Sequence, residues 1–332
     1  MVKPRFEDFR YIAKSLDGVS IHDADVQRTA ESRERVDVAS DDGQMLGVFT
    51  TIPGALRYPE IIVRATAFSD DNGRPEGALF DSYLAEITHR RVMAVNMPGV
   101  DYFAEDKSTK HLGDLTPEQY ESLRVYGSFR KVGAASMRAL QNAAITYHDY
   151  DPQFILSASS MGVAAAAGMA REAFDKGIGV AGIALAEPVN HVQRPLGKLG
   201  LQFARTNSTA AGYLEMNPEP VADIGESMGL WVKRVIEARR ANWVYARALS
   251  AGTFHTDLGS IEGLADTKTP LYISHGTASR LSSDKSGQDM REFLNSFAAM
   301  NTVQHDVLVG HDHPYTMTVQ SVVDGVANIT RR

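Results

Sequence analysis

The chain has 332 residues, of which 43% are apolar, with a formal charge of −7 and no cysteine. That length accommodates one large α/β domain with an insertion, or two domains. The missing cysteine excludes disulfides, thiolate nucleophiles and cysteine-ligated metals, and the acidic balance argues against a phosphate-tracking surface for nucleic acid.

No window is apolar enough for a membrane span, and the start of the chain, Met1-Val2-Lys3-Pro4, has no apolar signal core; the expectation is a cytoplasmic protein. Residues 1–32 read as a polar N-terminal extension, weakly helical near Phe6 to Leu16, with His22, Asp23 and Asp25 in an exposed turn. From Arg35, alternating Val36, Val38, Met45, Gly47 and Phe49 flank Asp42-Gly43, which predicts a β-hairpin closed by Pro53-Gly54.

Residues 60–68 predict a buried strand, 76–89 a helix with Leu79, Phe80, Tyr83, Leu84 and Ile87 on one face, and 91–95 a second strand ending in Asn96-Met97-Pro98-Gly99. Strand, helix and strand of these lengths form a βαβ unit, so the two strands run parallel in one sheet. Thr116-Pro117-Glu118-Gln119 opens a long helical region like a capping box, running to about Tyr147 with a break near Gly133.

The most informative stretch is Phe154-Ile155-Leu156-Ser157-Ala158-Ser159-Ser160-Met161-Gly162-Val163. A short apolar run meets small residues and an alanine-rich helical segment begins at once, so the chain turns sharply between strand and helix. A serine at such a tip is exposed, strained and next to the N–H groups opening the helix. Ala158-Ser159-Ser160-Met161-Gly162 is a variant of the G-x-S-x-G nucleophile elbow, and Ser160 is the candidate nucleophile.

Residues 177–187 give another strand, ending at Glu187-Pro188. Between 189 and 265 no strand is visible; helical patterns, including the amphipathic stretch from Leu230 to Leu249, predict a helical cap. Its basic residues, Lys233, Arg234, Arg239, Arg240 and Arg247, read as a solvated helix face. Met228, Leu230, Trp231, Trp243 and Tyr245 either line an apolar acyl pocket or pack the cap onto the core. The sheet resumes with Pro270 to Gly276, followed by a helix over 289–300, a last strand over 304–309, Gly310-His311-Asp312-His313, and a closing helix over 319–329.

Taken in this order, the Asp-Gly hairpin, the strand ending Ala65-Thr66-Ala67-Phe68, the Asn96-Met97-Pro98-Gly99 strand end, the elbow, His275-Gly276 and Gly310-His311 resemble the α/β-hydrolase superfamily over about residues 33–332. The resemblance implies an α/β-hydrolase fold, with a mostly parallel eight-stranded sheet and helices on both faces. It divides the chain into an extension (1–32), a core (33–188 and 266–332) and a cap between strands six and seven (189–265).

It also implies roles. Ser160 matches the nucleophile and His311 the late histidine that moves the serine proton, with His313 two residues away as a second candidate. The backbone N–H groups of Met161 and Phe68 match the oxyanion-hole donors. The usual acid position holds Ser279, which cannot stabilise an imidazolium. Glu187, ending the sixth strand as the acid does in some lipases, is the substitute; Asp284 and Asp306 are alternatives.

The function this implies is a serine hydrolase acting on a small-molecule carboxylic ester or related acyl compound, without cofactor or metal. A zinc site drawn from His275, Asp284, His311 and His313 would leave the elbow unexplained. Because Ser279 displaces the usual acid, the alternative is a non-catalytic protein that keeps the fold for binding or assembly. C–C hydrolysis is a third possibility. Dehalogenases and epoxide hydrolases of the fold carry Asp where Ser160 stands.

Overall fold

The computed structural model describes residues 23–41, 43–65, 75–99, 113–203, 205–206, 239–261, 264, 268–279, 281, 290, 292, 295, 303–308, 311–313 and 318–330. Eight strands form one sheet: β1 (Glu34–Asp41), β2 (Gln44–Thr51), β3 (Ile61–Ala65), β4 (Val92–Val95), β5 (Gln153–Ser159), β6 (Gly179–Ala186), β7 (Leu271–Gly276) and β8 (Val303–Leu308). Their spatial order is β1-β2-β4-β3-β5-β6-β7-β8. The β1–β2 hairpin and the β2–β4 pair are antiparallel, and every pair from β4 to β8 is parallel.

Parallel strands buried on both faces read as continuous apolar runs, and the two-residue period divides their side chains between two cores. On one face Ile61, Val63, Met93, Val95, Phe154, Leu156 and Ala158 pack with α4 (Arg130–Thr146) and α5 (Gly162–Lys176). On the other, Ile62, Val92, Ile155, Ala184 and Tyr272 pack with α2 (Pro75–Thr88) and α8 (Val319–Thr330). The β3–α2–β4 unit is the expected crossover. Asp81 of α2, fully buried, accepts from Arg33 Nη2 at 2.5 Å and from the fork of Arg64 on β3, which fixes that helix on the sheet.

Two expectations need correction. Residues 23–31 form a helix, α1 (Asp23–Glu31), packed on α2, in place of an exposed turn at Asp23 and Asp25. The Thr116 capping box forms as expected, with Gln119 N–H on the threonine hydroxyl at 3.3 Å and the Gln119 side chain on Thr116 N–H at 3.0 Å. The helix it starts, α3 (Pro117–Glu121), passes into a π-helical turn (Ser122–Tyr126) and stops at Gly127. The break therefore lies at Gly127, whose φ of 64° ends a helix readily only in glycine. Gly133 sits inside α4, where a Cβ would come within 2.4 Å of Ala165 O and 2.6 Å of Gly168 Cα, so it is there to let α4 and α5 touch backbone to backbone.

Of the cap region, α6 (Arg239–Ala251) and α7 (Phe254–Gly259) are described. Tyr245 is fully buried, stacks on Phe129 and donates its hydroxyl to Pro98 O at 2.7 Å, tying α6 to the loop after β4. Trp243, 60% exposed, faces solvent. Met228, Leu230 and Trp231 lie outside the described residues, as do Phe68, Asp284 and most of the helix expected over 289–300.

Candidate active site

The site is assembled at the carboxyl ends of β5, β6 and β7, where open α/β sheets place their ligands. β5 ends at Ser159, and the chain reverses into α5 through Ser160, whose φ of 56° lies in the left-handed region. A non-glycine residue there costs on the order of 1–2 kcal/mol and persists where its surroundings hold it. Two bonds do so: Ser160 N–H donates to Ala186 O at 2.9 Å, and Ser160 O accepts from Val163 N–H at 3.3 Å. Met161, next in the chain, opens α5. The first N–H groups of a helix have no intrahelical acceptor and carry its positive end.

One strand over, Glu187 repeats the device. It follows β6 directly, has a φ of 54° and donates its N–H to Ser274 O of β7 at 2.8 Å. This sharp turn drives the carboxylate under the loop after β7, where it is fully buried. Oε1 accepts from Gly276 N–H at 2.5 Å and Oε2 from the Ser279 hydroxyl at 2.8 Å. His313 Nδ1 lies 3.4 Å from Oε2. Burial pushes the Glu187 carboxyl pKa up, but the hydrogen bond and charge of His313, Gly276 N–H and the Ser279 hydroxyl outweigh it and hold the pKa below its ordinary value. Glu187 is therefore an anion at neutral pH.

The imidazole of His313 bridges the two turns. Its Nε2 is 2.9 Å from Ser160 Oγ. An ionised carboxylate only accepts, so Nδ1 carries the proton toward Glu187 and Nε2 is left to accept from the serine hydroxyl. That is the tautomer a general base requires. His313 is buried, and Phe203 meets its ring edge-on at 6.5 Å between centroids.

The structure thus brings Ser160 and Glu187 together, and the histidine between them is His313 in place of His311. His311 is held by its backbone: its N–H donates to Leu308 O at 3.3 Å and its O accepts from Ala278 N–H at 3.0 Å. Its carbonyl passes so close to Gly276 that a Cβ there would meet it at 2.2 Å. His311 is consumed in joining the loops after β7 and β8, and the ring that reaches the serine comes two residues later. Spacing after glycine carries no signal for this, because the extra residues are set by a contact with a different strand.

Other candidates are placed elsewhere. Asp306, on β8, accepts from Tyr272 OH at 3.1 Å. His275 Nδ1 is 2.8 Å from His305 Nε2, with the rings stacked at 4.8 Å. Among the described residues no group of three or more histidine and carboxylate side chains is arranged to hold a metal ion, and no described helix is long and apolar enough to cross a membrane.

No protein-family model matches the chain, and no curated protein does. Solved structures do. The 2-hydroxy-6-oxo-6-phenylhexa-2,4-dienoate hydrolase of Rhodococcus sp. strain RHA1 is similar over 91% of this chain and all of its own, with 14% identity and a TM-score of 0.52. A haloalkane dehalogenase loop variant from Bradyrhizobium elkanii is similar over 90% of this chain and 98% of its own, at 13% identity and a TM-score of 0.53. The thioesterase domain of the curacin biosynthetic pathway covers 90% of this chain, at 13% identity and a TM-score of 0.50. The chain has the fold of the α/β-hydrolase superfamily. At these identities the likeness speaks for the fold alone.

Proposed function

We propose that this protein is a serine hydrolase that cleaves a carboxylic ester or related acyl compound through an acyl-enzyme on Ser160. One observation carries the reading: His313 Nε2 stands 2.9 Å from Ser160 Oγ while its other nitrogen faces the buried Glu187 carboxylate. In this reading Ser160 Oγ attacks the substrate carbonyl as His313 takes its proton, and the tetrahedral oxyanion is received by Met161 N–H at the start of α5 together with the main chain near Phe68. Glu187 stabilises the imidazolium. Its 3.4 Å separation from Nδ1 is long for a charged pair, and such bonds shorten as the charge develops. His313 then returns the proton to the leaving group, and water deacylates the serine by the reverse sequence.

The reading is tested by labelling with a fluorophosphonate probe and mapping the modified peptide, in the wild type and in Ser160→Ala and His313→Ala. Labelling at Ser160 that is lost in both variants supports it. A folded wild type that takes no label moves the assignment to a binding or assembly role for the fold, the reading that Ser279 at the usual acid position first suggested. The strength of that alternative falls with the finding that Ser279 hydrogen-bonds a carboxylate arriving from the neighbouring strand.

A further inference from the structure

Seven residues beyond Glu187, Arg194 turns back toward it. The residue is only 8% exposed, yet it forms no ion pair among the described residues. Nη2 donates to Leu281 O, and the backbone N–H of Arg194 is fixed on Ser250 O of α6 at 2.9 Å. Leu281 is itself fully buried, and its N–H donates to Ser279 Oγ at 3.2 Å. Ser279 in turn donates to Glu187 Oε2. The contacts form a closed circuit from Glu187 along the chain to Arg194, across to Leu281 and Ser279, and back to the carboxylate.

The circuit has a chemical consequence. The Ser279 hydroxyl has one proton to give, and the Leu281 N–H occupying its oxygen turns that proton toward Glu187. The position of Leu281 is set from the other side by Arg194. Glu187 is also the acidic group whose field Arg194 feels: burial draws the guanidinium pKa down, and the Glu187 carboxylate opposes this. The other charged or titratable groups facing Glu187 are His313 and His191.

Resting on the hydrolase reading above, we infer that Arg194 is a positioning residue for the triad, which anchors Leu281 and through it the Ser279 hydroxyl, so that the Glu187 carboxylate stays aimed at His313 Nδ1. It touches neither the serine nor the substrate in this role. Its effect passes through Glu187 and should therefore fall on the chemical step, leaving substrate binding largely alone.

The test is steady-state hydrolysis of a p-nitrophenyl ester by the wild type, Arg194→Met, Arg194→Lys, Ser279→Ala and the Arg194→Met/Ser279→Ala double variant, with thermal unfolding of each. Displacing a catalytic group by a fraction of an ångström to an ångström costs up to about 100-fold, so Arg194→Met is expected to lower kcat about tenfold or more with KM within about twofold. Arg194→Lys, which keeps the charge and a donor, should recover most of that loss. The double variant should be no slower than the slower single one, because both substitutions loosen the same carboxylate.

Wild-type kcat in Arg194→Met, losses in the two single variants that multiply in the double, or a change confined to KM would each overturn the inference. If Arg194→Met does not fold, the same cycle is run with Arg194→Gln, which keeps a polar side chain but removes the guanidinium, and losses that multiply in the Arg194→Gln/Ser279→Ala double variant again decide against it. A wild type with no esterase activity and no serine labelling would instead remove the hydrolase reading on which it rests.

Discussion

Ser279 donates its hydroxyl to Glu187 Oε2 at 2.8 Å, so the residue at the position where the resemblance to the α/β-hydrolase pattern expects a carboxylate serves as a hydrogen-bond donor to a carboxylate supplied by the adjacent strand. The two positions converge on one point in space. Glu187→Gln removes the negative charge and is expected to lower kcat by a factor on the order of 10⁴, the cost of disabling the equivalent carboxylate in a serine protease. Adding Ser279→Asp to that variant returns a carboxylate beside the Glu187 oxygen that faces His313 and should recover at least about tenfold of kcat. Ser279→Asp alone sets two carboxylates against each other and should slow the proposed hydrolysis. Ester hydrolysis by the three variants measures all of this, and a double variant no faster than Glu187→Gln would show that only Glu187 has the geometry.

The two neighbouring histidines make opposite predictions. On the proposed mechanism His313→Ala removes the general base and should reduce kcat by several orders of magnitude, to what an oxyanion hole and binding alone supply. His311→Ala leaves intact the backbone bonds to Leu308 and Ala278, and its kcat should stay within about threefold of wild type. Gly276→Ala should resemble the loss of His313, because its methyl group would have to displace the His311 carbonyl and with it the segment that delivers the imidazole. Kinetics of the three variants beside their circular dichroism spectra separate the roles.

Stability should fall on acidification because of His191, four residues after Glu187. Burial holds His191 neutral and pulls its pKa down to about 4, with the Arg194 charge acting in the same direction and its Nδ1–H spent on Pro188 O. The unfolded chain takes up this proton near pH 6.5, so the neutral His191 contributes its full stability above that value and loses it as pH falls toward 4. The difference amounts to about 3 kcal/mol. Glu187, with a depressed pKa of its own, extends the trend below the ordinary carboxylate range. Urea unfolding at pH 7.5, 6 and 4.5 should show the decline in the wild type and a shallower one in His191→Asn; equal slopes would exclude His191 as the cause.

Gly133→Ala is expected to destabilise the protein by about 3 kcal/mol, at the upper end for overpacking, because the obstacle is main chain on α5 and has no rotamer to change. On helix propensity alone the same substitution would stabilise by nearly 1 kcal/mol. The sign of the change in unfolding midpoint therefore reports directly on the α4–α5 contact that seats the helix following Ser160.

Much of this molecule is written locally. The two-residue alternation around Asp42-Gly43, the apolar runs of β3, β4 and β5, the Thr116 capping box and the abrupt change from strand to alanine-rich helix at Ser160 are each decided by neighbours within a few positions, and each can be read from the sequence. Glu187 belongs with them in part: a carboxylate at a strand end is visible, though the left-handed turn that aims it is held by Ser274 and Gly276 from another strand. What only the tertiary structure decided is which histidine meets the serine and what Gly133 is for. His311 and His313 stand two positions apart, and the choice between them was made by the His311 carbonyl packing on Gly276, 35 positions earlier in the chain. Gly133 looks like a helix break because a missing side chain weakens a helix locally, whereas in the folded protein that absence is what admits a second helix.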